Sequence, residues 1–143
     1  MTYNQLLSTL QTLLESNAMI ATAKNVTPIE WLNRDEQPIY PVAAYTVLNA
    51  TSSIGKQIVY SVQIFFLDRS GAEAEFEPDV ISDQLQIAND ILEKIRGVKQ
   101  TYFFDDSVTI NFISDKYEDY LAGVEMTINI TTQSEFDGCD FPT

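Results

Sequence analysis

Histidine is absent from this 143-residue chain, and cysteine occurs once, at Cys139. Without imidazole there is no Ser-His-Asp or Cys-His machinery, no histidine-ligated zinc, and no side chain that ordinarily titrates near neutrality. A lone thiol allows neither an internal disulfide nor a multi-cysteine metal site, and Cys139 has no base partner to activate it. It reads as a structural or exposed thiol. Bases are scarce as well: 8 Lys and Arg stand against 21 Asp and Glu, a formal net charge of −13. A surface of that sign repels phosphate backbones, so a conventional DNA-binding domain is not expected. No apolar run approaches the roughly 18 residues that cross a bilayer. The opening MTYNQLLSTLQTLLES has neither the basic region nor the small-residue cleavage site of a signal peptide. The expectation is a protein made in a cytoplasm, with no membrane partner.

What is present suits a single folded domain spanning 1–143. A hydrophobic content of 45% with 11% aromatics is too rich for a disordered chain, and this length can bury a core. The stretch KQIVYSVQIFFL, Lys56 to Leu67, holds no Gly or Pro and is dominated by β-branched and aromatic residues. It reads as a long central strand. Ile58, Tyr60, Val62, Ile64 and Phe66 share a wholly apolar face; Val59, Ser61, Gln63, Phe65 and Leu67 share a mixed one.

The other elements follow in order. Thr2 and Gln5 form a capping box, and Leu6, Leu7, Leu10, Leu13 and Leu14 recur at helical spacing, which predicts a helix from about Tyr3 to Asn17. Met19–Val26 has room for a short strand. Pro28, Pro38 and Pro41, with the polar run 33–37, predict a long loop. Trp31 sits in that loop, either plugging the core or anchoring a neighbouring subunit. Pro41–Ala50 and the central strand make an antiparallel hairpin around the turn 51–55. Asp68–Gly71 ends the central strand as a turn. Pro78 opens a second helix, its stripe being Val80, Ile81, Gln84, Leu85, Ala88, Ile91, Leu92 and Ile95, and Gly97 closes it. Two further strands follow, Val108–Phe112 and Ala122–Thr131, separated by the charged tip Ser114–Leu121.

Chemistry-bearing motifs are few. Glu73, Glu75, Glu77 and Asp79 alternate along the crossover but lack the glycine and terminal Glu of an EF-hand loop, so they read as a solvated linker. Asp105-Asp106 and Glu118-Asp119 are adjacent acids with no basic or aromatic cleft to shift their titration. Ser53-Ile54-Gly55-Lys56 shares only Gly-Lys with a phosphate loop and falls in a hairpin. The expectation is a non-enzyme without cofactor or metal.

The order helix, three strands, helix, two strands resembles that of phage tail terminator (tail completion) and related neck ring proteins. Tyr40-Pro41, the helix segment ISDQLQIANDI (81–91), the segment DKYEDYLAG (115–123) and the tail DGCDFP (137–142) carry the resemblance. Together they look like small structural proteins of phages infecting Bacteroidetes, over most of Tyr40 to Pro142. The strand and helix order predicts an α+β fold, with a mainly antiparallel sheet of four or five strands and two helices packed on one face. The resemblance implies a non-catalytic homo-oligomeric ring in the virion, at the tail or neck. The partners would be other copies of itself, the tail tube or adjacent connector proteins, and DNA in transit only.

On that reading Trp31, Tyr117, Tyr120 and Leu121 are interface candidates. Glu73, Glu75, Glu77, Asp79, Asp105 and Asp106 are candidates for an acidic lumen that lets DNA pass without sticking. A small acidic inhibitor or DNA mimic, acting as a monomer or dimer, explains the charge equally well. A ligand-binding enzyme is disfavoured by the missing histidine.

Overall fold

The computed structural model describes residues 2–27, 39–53, 55, 57–69, 77–97, 102–104, 108–116 and 121–133. The chain order is α1 (Tyr3–Glu15), β1 (Thr22–Lys24), β2 (Val42–Ser53), β3 (Gln57–Arg69), α2 (Glu77–Gly97), β4 (Tyr102–Phe104), β5 (Ile110–Lys116) and β6 (Leu121–Gln133). The fold is α+β, with one mixed sheet ordered β1-β2-β3-β6-β4, and β5 also paired to β6. Six strand segments thus occupy five positions, because β4 and β5 share one edge of β6. β4 covers Ile130–Thr132 and β5 covers Leu121–Met126.

α1 begins where the sequence says it should. Thr2 Oγ1 accepts from Gln5 N–H at 3.2 Å, and Gln5 Oε1 accepts from Thr2 N–H at 2.8 Å. Two otherwise unsatisfied donors at the helix start are met reciprocally. Leu6, Leu10 and Leu14, spaced by four, are all buried. The helix stops at Ser16, whose N–H closes on Thr12 O and whose hydroxyl donates to Leu13 O at 2.6 Å.

β3 is the middle strand. Its even residues Tyr60, Val62, Ile64 and Phe66 lie in one core cluster with Val124, Met126, Ile128 and Ile130 of β6 and with residues of both helices. Both helices therefore cover the same sheet face, as the period-2 pattern requires. Val62 and Val124 are fully buried. The opposite face carries a smaller cluster of Val26, Val42, Ala44, Leu67, Ile113 and Leu121, with Tyr40 and Phe65 packed on it. Farther along that face Gln63 meets Glu125, Nε2 to Oε2 at 3.5 Å.

Three details differ from expectation. The sheet is mixed rather than wholly antiparallel, because β1 pairs parallel with β2. The long connection 25–41 makes that possible: parallel neighbours need a crossover, which a tight hairpin cannot supply. Asp68 and Arg69 continue β3 instead of turning, since both remain paired to β6. β2 likewise runs to Ser53, with a bulge at Leu48 that inserts one extra residue and keeps the hairpin paired out to Ser53↔Gln57. Gly55 in the connecting turn has φ +95°, a conformation glycine adopts without steric cost.

Candidate functional site: an acidic helix face and an open sheet edge

α2 is amphipathic in two senses. Its buried arc holds Gln84, Ile87, Ala88, Ile91, Leu92 and Ile95. Ile87 joins this arc although the sequence stripe omitted it, while Ile81 and Leu85 lie at the arc's margin, half-buried. Packing over β3, β5 and β6 sets that rotation. On the outer side Asp79, Asp83, Asp90 and Glu93 are all exposed. At 100° per residue these four carboxylates fall within about 80° of one another, and they span about 21 Å of helix. Asp79 and Glu77 sit in the first turn, where the helix dipole favours negative charge.

Beside the start of this helix lies an open groove of about 590 Å³ lined by Glu77, Pro78, Ile81, Ser82, Leu85 and Phe112. Phe112 comes from β5 and is 63% exposed, an unusual state for a large aromatic. Alternation correctly puts Phe112 on the helix-covered face, in register with Val124. Its exposure arises because β5 is the last strand on that side among the described residues, so helix cover runs out there. Sequence alone offered a hint: Phe112 and Ile113 are adjacent apolar residues, so β5 must present one to each face.

The sequence-derived candidates divide as follows. Glu77 and Asp79 lie at the start of α2, half-buried and exposed respectively. Glu73, Glu75, Asp105, Asp106, Trp31, Tyr117 and Tyr120 fall outside the described residues. Leu121 is a correction. Its side chain is 2% exposed and packs in the second core cluster, so it is not available to a neighbouring subunit. The charged tip is also shorter than expected, because Ser114–Lys116 belong to β5 and Leu121 begins β6.

One part-buried hydrogen-bond network ties α1 to the sheet. Tyr45 Oη donates to Gln11 Oε1 at 2.6 Å, and Gln11 Nε2 donates to Ala23 O at 2.8 Å and Glu15 Oε1 at 2.7 Å. Burial, then the Glu15 carboxylate and Tyr3, pushes the Tyr45 phenol above its ordinary value. The network ties α1 to β1 and β2. Among the described residues no group of three or more acidic, Cys or His side chains is placed to hold a metal ion, and no helix is long and apolar enough to cross a membrane. What the surface offers chemically is a row of carboxylates beside an apolar groove at a sheet edge. No protein-family model matches this chain, and no curated protein matches it either.

Proposed function

We propose that this protein is a non-catalytic structural subunit of a phage particle. It forms a homo-oligomeric ring at the head–tail junction, as a tail terminator, tail-completion or neck ring protein. The observation that carries the reading is the row Asp79, Asp83, Asp90 and Glu93 on the open face of α2. A fixed line of carboxylates repels DNA phosphates, so a passage bordered by it conducts the polymer without holding it. The long antiparallel pairing of β2, β3 and β6 suits a subunit that must keep its shape, and the segments 81–91, 115–123 and 137–142 supply the resemblance to such ring proteins. Ring partners would be the tail tube or an adjacent connector protein, and the site of action the virion, after synthesis in the host bacterial cytoplasm.

The same row of carboxylates favours a second reading, a DNA mimic occupying another protein's nucleic-acid site. Mass determination by light scattering, with negative-stain imaging, separates the two. Closed rings with a central hole support the structural reading. A monomer or dimer at every concentration tested overturns it in favour of the mimic.

A further inference from the structure

The charge of this chain is unequally shared. Residues 1–67 hold four acids and three bases, net −1, whereas residues 68–143 hold 17 acids and five bases, net −12. The described elements of the two halves lie side by side in the sheet. The near-neutral half supplies α1, β1, β2 and most of β3; the acidic half supplies α2, β4, β5 and β6. Among the described residues the acids of α2, Glu77, Asp79, Asp83, Asp90 and Glu93, stand on the side of the sheet where β6 and β5 lie, whereas α1 and β1 on the other side hold one acid, Glu15, and one cation, Lys24. At the neutral edge, Ser16–Thr27 contains no acid and one cation, the exposed Lys24.

Each edge also exposes large apolar side chains. On the acidic side it is Phe112, with the groove against Pro78, Ile81 and Leu85. On the neutral side Met19, in the turn between α1 and β1, is 60% exposed, and Ile39, whose carbonyl accepts from Thr22 Oγ1, is 74% exposed. The two edges lie at the same level. Ala23, Ala43, Phe66, Val124 and Phe112 form one continuous row across the sheet. β1 runs parallel to β2, and three successive antiparallel steps lead from β2 to β5, so β1 and β5 run in opposite senses.

We propose that the groove between α2 and β5 receives the β1 edge of a second copy of this chain, so that copies join head to tail with β5 of one antiparallel to β1 of the next. This rests on the ring reading above and names its contact surface. Charge selects the arrangement. Pairing two acidic edges sets like charges together, and pairing two neutral edges leaves the Phe112 groove open. Neutral edge against acidic edge covers both apolar patches with one repeated contact and brings Lys24 toward carboxylates. A contact of this heterologous kind propagates, and it closes into a ring when the rotation per copy allows.

The test uses Phe112→Asp and Ile39→Glu in the full chain, with Met19→Glu as a second block of the neutral edge. All three positions are exposed, so circular dichroism and melting should match wild type. Sedimentation velocity should show wild type assembled and each variant alone monomeric, with association weakened more than about tenfold. Mixing Phe112→Asp with Ile39→Glu should give a one-to-one dimer that grows no further, because each partner keeps one intact edge. Variants that still assemble beside an assembled wild type overturn this interface and leave the ring standing. So does a mixture that stays monomeric. A monomeric wild type removes the ring reading and the interface together.

Discussion

Gly123 on β6 lies against the backbone of Phe66 on β3 so closely that a Cβ there would overlap the Phe66 carbonyl oxygen and come within 3.1 Å of Leu67 Cα. The obstacle is backbone of the central strand, which cannot swing away as a side-chain tip can. Gly123→Ala must therefore push β6 off β3 along its most extensive pairing. The expected loss is on the order of 3 kcal/mol of unfolding free energy. Urea denaturation measures it, and a loss below about 1 kcal/mol would mean that the two strands part more easily than this contact indicates.

The buried phenol of Tyr45 makes stability depend on alkaline pH. Its folded pKa lies above the ordinary 10.0, so in that range the folded state binds more protons than the unfolded one. The stabilisation is complete below the unfolded value and is lost as pH rises through the folded value. Tyr45→Phe should flatten that alkaline decline, while costing about 1 kcal/mol near neutrality through the lost hydrogen bond to Gln11. Denaturant midpoints for both proteins on either side of pH 10 provide the check.

Gln84 is 2% exposed, and its Oε1 has no hydrogen-bond partner among the described residues. A buried acceptor left unpaired costs desolvation without return. Gln84→Met keeps the length of the side chain and removes the polar amide, so it should raise stability by about 1 kcal/mol. A drop in melting temperature would show that the amide nitrogen makes a bond worth more than the oxygen forfeits.

Leu121 separates folding from assembly. Buried beside Ile113 and Leu67, it should cost about 2–5 kcal/mol of stability when changed to Ala. The association proposed above, measured well below the melting transition, should not change. Trp31→Ala poses the converse question: weakened assembly with normal melting marks an interface anchor, and early unfolding marks a core plug.

Neutralising the outer face of α2 by Asp79→Asn, Asp83→Asn and Asp90→Asn should leave the unfolding midpoint nearly unchanged, since exposed charges contribute little to stability. If the protein is the ring subunit proposed above, particles carrying these substitutions should eject DNA more slowly, with the defect shrinking as salt screens the phosphates. Ejection at the wild-type rate would leave the charge with solubility as its only role.

Local rules carried much of this fold. The Thr2/Gln5 capping box and the leucine spacing set α1, because both act within one or two turns of chain. The even-numbered face of β3 and β6 was legible because strand alternation has a period of two and both faces differ in composition. Absence of histidine and the scarcity of bases narrowed the chemistry before any contact was known.

Only the tertiary structure decided which strand stands beside which, and so which apolar residues end uncovered. Phe112 and Val124 share a face in register, yet Val124 is fully buried on an interior strand and Phe112 is largely exposed on an edge. Leu121, read from sequence as part of a projecting tip, is core because β6 starts one residue earlier and meets Arg69. The lateral separation of charge has the same origin. A sequence states where acids fall along the chain, but the packing of α2 over β6 and β5 decides on which side of the sheet Glu77, Asp79, Asp83, Asp90 and Glu93 stand. Periodicity tells which side of an element a residue takes; cover on that side depends on neighbours distant in sequence, which no local pattern encodes.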